Sequence, residues 1–192
     1  NFATSIGVYY SGSAQGRYSY TYGNDFNGDG INADLLFLPE NTSSLKFVDI
    51  VSSGNVVYTA AEQAAAFDKY VASNDLEQYR GDYVPRNAFV MPWLSRFDVR
   101  VLQDIFTNIG ERKNTIQLSL DIVNFGNLLN KDWGIQDNLN GAQNLLSRSG
   151  SVSQSPSVVM NRVSGELPTN PYQNASSFST TWSMQFGLRY IF

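Results

Sequence analysis

The chain has 192 residues with 42% apolar side chains, enough for one ordinary domain, yet only 16% are charged, against roughly 25% in soluble domains. A net charge of −4 and a pI of about 4.7 exclude a basic nucleic-acid-binding face, so no nucleic-acid partner is expected. Cysteine and histidine are both absent, which removes disulfides, Ser-His-Asp and Cys-His catalysis and the usual zinc sites. The acidic residues are spread along the chain and no pair is set in a cleft, so no enzyme is expected. Aromatics reach 14%, a balance that suits a surface meeting both lipid and water. No run of about 18 apolar residues offers a transmembrane helix. No signal peptide precedes the first strand-like residues, so a longer parent protein is expected.

In chain order, Phe2, Thr4, Ile6, Val8 and Tyr10 share one face. After SGSAQG, Tyr18, Tyr20 and Tyr22 alternate with Ser19 and Thr21, which predicts a hairpin or one long strand with a bulge. Residues 24–93 do not alternate and read as a small folded insert. Asp25-Phe26-Asn27-Gly28-Asp29-Gly30 has the D-x-N-x-D-G opening of a calcium loop, with Asp34 close behind. Asp25, Asn27, Asp29 and Asp34 are therefore candidate Ca2+ ligands. Leu36 stands where such a loop would carry its bidentate acid, and an Asx turn with glycines at positive φ is the plainer reading. Thr59 and Glu62 form a capping box that predicts a helix over Ala60–Ala72. Arg80-Gly81-Asp82 is read as turn chemistry and not as an adhesion motif.

Over 95–106, Phe97, Val99, Val101 and Ile105 alternate with Arg96, Asp98, Arg100 and Asp104. Over 114–124, Ile116, Leu118, Leu120 and Ile122 alternate with Gln117, Ser119 and Asp121. The polar link TNIGERKN makes these an antiparallel hairpin. A further strand is predicted to start near Trp133, after the turn NFGNLLNKD, and 140–175 reads as an irregular loop. Finally, Phe178, Thr180, Trp182, Met184, Phe186, Leu188, Tyr190 and Phe192 alternate with polar residues. That run is longer than the roughly 5–6 residues of a soluble strand and covers the roughly 9–11 of a membrane-spanning one. The expected fold class is therefore all-β, an antiparallel transmembrane β-barrel segment with a small helix-containing insert. Arg96, Asp98, Arg100, Asp104 and Asp121 are expected to face its lumen. Tyr18, Tyr20, Tyr22, Trp93, Trp133 and Trp182 are expected in its interfacial aromatic girdles.

Gln185-x-Gly187-x-x-Tyr190-x-Phe192 resembles the C-terminal assembly signal of outer-membrane proteins, read by the barrel-assembly machinery. Ile116 to Gly134, IQLSLDIVNFGNLLNKDWG, resembles the strand-then-NLFN corner of TonB-dependent receptors. Asp25 to Pro39 and Arg80 to Gln103 resemble successive segments of the Oar-like branch of that family, common in Bacteroidetes. The resemblance implies the last strands of a barrel of about 22 strands. It also implies the outer membrane of a Gram-negative bacterium, with lipid around the barrel and a nutrient ligand imported through the parent protein. TonB would act through an N-terminal part not in this sequence, and a surface lipoprotein is a candidate partner. A passive porin-like barrel and a soluble β-sandwich binding module are the competing classes.

Counting strands back from a periplasmic end at Phe192 puts loop 140–175 outside, NFGNLLNKD in the periplasm and TNIGERKN outside. The same count puts the 24–93 insert in the periplasm unless it hides one more strand.

Overall fold

The computed structural model describes residues 2–109, 112–153, 155–175, 177 and 180–192. Its regular structure is mostly strand. Among the described residues no helix is long and apolar enough to cross a membrane. The chain forms two compact units, Asn1–Gln15 with Pro92–Asp137 and Asn174–Phe192, and Gly16–Met91 with Asn138–Gln173.

The first unit is a four-stranded antiparallel sheet in simple sequence order. Its strands are β1 (Phe2–Ala14), β2 (Trp93–Ile109), β3 (Arg112–Val123) and β4 (Ser183–Ile191), of 13, 17, 12 and 9 residues. The β2–β3 hairpin is thus longer, and its link tighter, than the alternation alone suggests. Registers are continuous: Ala14 pairs with Trp93, Val99 with Ile122, and Val123 with Ser183. The expected strand from Phe178 is shorter at its start. Thr180 turns the chain there, its hydroxyl donating to the Ala175 carbonyl at 2.5 Å and accepting from the Ser177 N–H at 3.0 Å. Phe178 itself lies outside the described residues.

No sheet-length strand starts near Trp133. β3 instead ends in a one-turn corner, the short helix α2 (Phe125–Leu129). Beyond it, Asp137–Leu139 pairs with Tyr172–Asn174 in a ribbon of three-residue strands. This changes the strand count. The end of β1, the start of β2, the end of β3 and the start of β4 all lie at one end of the sheet, because Ala14 faces Trp93 and Val123 faces Ser183. Both long excursions, 15–92 and 124–182, leave from that end. At the other end only residues 110 and 111 separate β2 from β3.

The second unit draws on both excursions, so 140–175 is not an irregular loop. Its sheet runs in the order Thr21–Tyr22, Asn144–Ser149, Ser157–Met160, Lys46–Phe47. The two outer pairings are parallel and cross between the excursions. Tyr18, Tyr20 and Tyr22 are 6%, 0% and 5% exposed and belong to this core, a correction to their expected place in a girdle. Tyr20 and Tyr70 share a buried hydroxyl contact at 3.2 Å. Helix α1 (Ala60–Ser73) starts at Thr59 with both arms of the capping box formed. Its buried Gln63 donates to the Val48 carbonyl at 2.8 Å and accepts from the Met160 N–H at 3.0 Å. One side chain therefore ties a helix of the first excursion to a strand of the second.

Candidate functional site

The sheet of the first unit has two unlike faces, and pairing turns each alternation into rows that cross it. On one face Phe2, Ile105, Ile116 and Tyr190 stand side by side, and Ile6, Val101, Leu120 and Phe186 form another row. Phe186 is 76% exposed, Leu188 74% and Ile6 69%. Large contiguous apolar surface of this kind is rare on a soluble monomer. Among the described residues nothing pairs with the outer edges of β1 or β4.

The opposite face carries Arg96, Asp98, Arg100, Asp104 and Asp121, as the alternation predicts. Gly7, Arg100, Asp121 and Gln185 form one row, Ala3, Asp104, Gln117 and Arg189 another. Arg100 grips Asp121 through two nitrogens, at 2.6 and 3.2 Å. Gln117 donates to Asp104 at 2.8 Å, and Asp98 accepts the backbone N–H of Asn124 at 2.7 Å. Arg100, Asp121, Asp104 and Asp98 thus each have a partner on this face. Of the residues that resemble an assembly signal, Gln185 and Gly187 lie on this polar face, opposite Asp121 and Ser119. Tyr190 and Phe192 stack at 5.8 Å at the end of β4, with Tyr190 in the apolar rows. A Cβ at Gly187 would lie 2.4 Å from the Ser119 hydroxyl, which would have to turn aside.

Sequence reasoning missed two residues at the corner. Asn124 is fully buried, at φ 54° and ψ 50°, a left-handed conformation that asparagine tolerates. Its amide donates to the carbonyls of Gly134 and Thr180, both at 3.0 Å. Asn127 donates to Lys131 and Trp133 carbonyls at 3.0 Å and accepts the Trp182 N–H at 3.1 Å. These two amides hold the end of β3, the corner and the start of β4 in one arrangement. Trp93, Trp133 and Trp182 remain 64%, 57% and 44% exposed. The sequence marks NFGNLLNKD as a turn, but not which of its asparagines are buried or what they hold.

In the second unit, Asp25, Asn27, Asp29 and Asp34 do converge, but on backbone donors. Asp25 accepts the N–H groups of Gly28, Asp29 and Gly30 at 2.6, 3.1 and 2.9 Å. The Gly30 N–H, ahead of the others, holds the Asp25 carboxyl below its ordinary range. Gly28 and Gly30 have φ of 87° and 92°, as this tight loop requires. Asp34 accepts from the Phe26 N–H at 2.8 Å and the Asn27 amide at 2.9 Å. Among the described residues no group of three acidic, His or Cys side chains is placed to hold a metal ion. Arg80 of the RGD triplet is not presented outward: its guanidinium, 17% exposed, lies 2.9 Å from Asp68 and 3.3 Å from Glu77.

No family model, curated protein or solved structure matches the chain.

Proposed function

We propose that the chain is a membrane-spanning segment of an outer-membrane β-barrel, in a receptor of the TonB-dependent type that imports a nutrient ligand. The observation that carries this reading is the bare four-stranded sheet of the first unit. Its strands reach or exceed the roughly 9–11 residues of a spanning strand. Among the described residues its apolar face is open and its outer edges are unpaired, arrangements that water punishes and that lipid and further strands satisfy. A soluble β-sandwich would bury Phe186 and Leu188 under a second sheet, yet both are about three-quarters exposed.

The ends of the sheet supply the orientation. Outer-membrane barrels keep short turns in the periplasm and long loops outside. The two-residue link between β2 and β3 then belongs to the periplasm. Both excursions, and the NFGNLLNKD corner with them, belong outside. The strand count from sequence went astray at Trp133, where it included a spanning strand that is a corner and a ribbon. On this reading Trp93, Trp133 and Trp182 stand at the outer interface and Tyr190 and Phe192 at the inner one. Tyr190 and Phe192, with Gln185 and Gly187, are the residues offered to the barrel-assembly machinery.

The test places the same charge on opposite faces. Phe186→Arg, in the membrane, is expected to cost roughly 2–4 kcal/mol of folding stability near the bilayer midplane. Ser119→Arg, on the polar face, is expected to cost far less. Folding in lipid vesicles measures both. A chain that is monomeric without detergent and indifferent to Phe186→Arg refutes the membrane reading. Planar-bilayer recording of the parent protein separates receptor from porin, since a plugged receptor stays closed and a passive barrel conducts.

A further inference from the structure

The corner α2 packs against β2 on the apolar side of the sheet. Gly126 lies there against Phe97 and Trp133, and a Cβ on it would stand 3.8 Å from the first and 3.9 Å from the second. Phe97 belongs to the apolar face, its ring 4.9 Å from that of its cross-strand partner Tyr10. This face is covered near the corner and more open away from it, since Ile122 is 8% exposed and Leu118 44%. What the corner turns outward is apolar as well. Leu129 is 65% exposed and Leu128 37%, and residues 122–130, IVNFGNLLN, carry no charge.

An unpaired carbonyl is tolerable in water and costly where water is scarce. The corner leaves few of them to the solvent. The carbonyls of Asn124, Gly126 and Asn130 accept backbone N–H groups at 2.9, 3.0 and 3.0 Å. Those of Lys131 and Trp133 accept the Asn127 amide, and that of Gly134 accepts the Asn124 amide. The two buried asparagines thus do for this turn what water does for an ordinary one. Lys131 and Asp132 follow as a pair at 2.9 Å, 88% and 65% exposed. Exposed leucines, a tryptophan and a charged pair within one turn are the groups that meet at a bilayer surface.

We infer that α2 is an interfacial lipid anchor, with Leu128 and Leu129 seated roughly 5–10 Å into the headgroup boundary of the outer leaflet. The inference rests on the membrane reading of the sheet, whose apolar rows the corner continues. It adds a lipid contact beyond the spanning strands and sets how deep the sheet sits.

The chain has no cysteine, so one introduced thiol can carry a small environment-sensitive fluorophore. Leu129→Cys, Phe186→Cys and Val56→Cys are labelled separately, and the whole chain is folded into phosphatidylcholine vesicles. All three positions are exposed, so the fold tolerates the label. Position 186 reports the bilayer interior, and position 56, on the second unit, reports water. Lipids brominated near the headgroup are expected to quench the probe at 129 several-fold more than lipids brominated at the chain end. The reverse order is expected at 186. Aqueous iodide is expected to quench at 56 and several-fold less at 129. Equal iodide quenching at 129 and 56, with 186 still quenched by lipid, overturns the anchor and leaves the membrane reading standing. A probe at 129 shielded from iodide and bromine alike also overturns it and marks a protein contact in place of lipid. Absence of lipid quenching at 186 overturns both.

Discussion

Asn124 is one of the two side chains that hold the corner after β3. Its replacement by alanine leaves the Gly134 and Thr180 carbonyls without their donors in a buried place and puts alanine in a left-handed conformation. Each lost partner costs about 1–3 kcal/mol, so Asn124→Ala is expected to lower stability by roughly 2–4 kcal/mol in denaturant titration. The Arg100–Asp121 pair, by contrast, is 62% and 25% exposed, and an exposed pair contributes about 0–1 kcal/mol at most. At Asp25 the backbone already supplies the positive partners that a cation would otherwise provide. Adding calcium to chelated protein is therefore expected to leave the thermal midpoint unchanged. A rise in the midpoint, lost again with chelator, would assign Asp25, Asn27, Asp29 and Asp34 to an ion.

Among the elements, helix α1 was fully legible because its signal is local. Thr59 accepts the Glu62 N–H at 3.2 Å and Glu62 accepts the Thr59 N–H at 2.8 Å. Thr59→Ala is expected to cost about 1 kcal/mol, read by thermal unfolding. The Thr59 N–H holds the Glu62 carboxyl below its ordinary range. That increment is present above the unfolded carboxyl's pKa and is lost as pH falls through the folded one. β2, β3 and β4 were legible for a related reason, since period-two alternation needs no knowledge of the partner strand. The cross-pairing of Asn144–Ser149 with Ser157–Met160 and Thr21–Tyr22 was not. Its buried residues, Leu145, Leu146, Val158 and Met160, are short apolar pairs in a polar stretch, and what they pack against lies far away in sequence. Tyr18, Tyr20 and Tyr22 alternate as well as any strand, and only tertiary packing decides that their rings fill a core. Nothing in the local pattern distinguished that role from a girdle.

For the whole molecule, the buried tyrosines give the second unit an alkaline limit. Burial raises Tyr18, Tyr20 and Tyr70 and pushes Tyr22 up to about 12, while the unfolded chain ionises near 10. The stability held by these protonated rings is therefore complete below about pH 10 and declines as pH rises toward and past 12. Near-ultraviolet circular dichroism between pH 9 and 12.5 is expected to show loss of the tyrosine signal in that window. The β1–β4 sheet is expected to keep its far-ultraviolet signal there. Interleaving also governs timing. Residues 16–91 lack strands and core residues that come only from 138–173, so the first excursion emerges during synthesis with its partner still unmade. It must wait through the production of β2, β3 and the corner, exposed to proteases and holdase chaperones. Its maturation is thus tied to the completion of the chain and not to its own length.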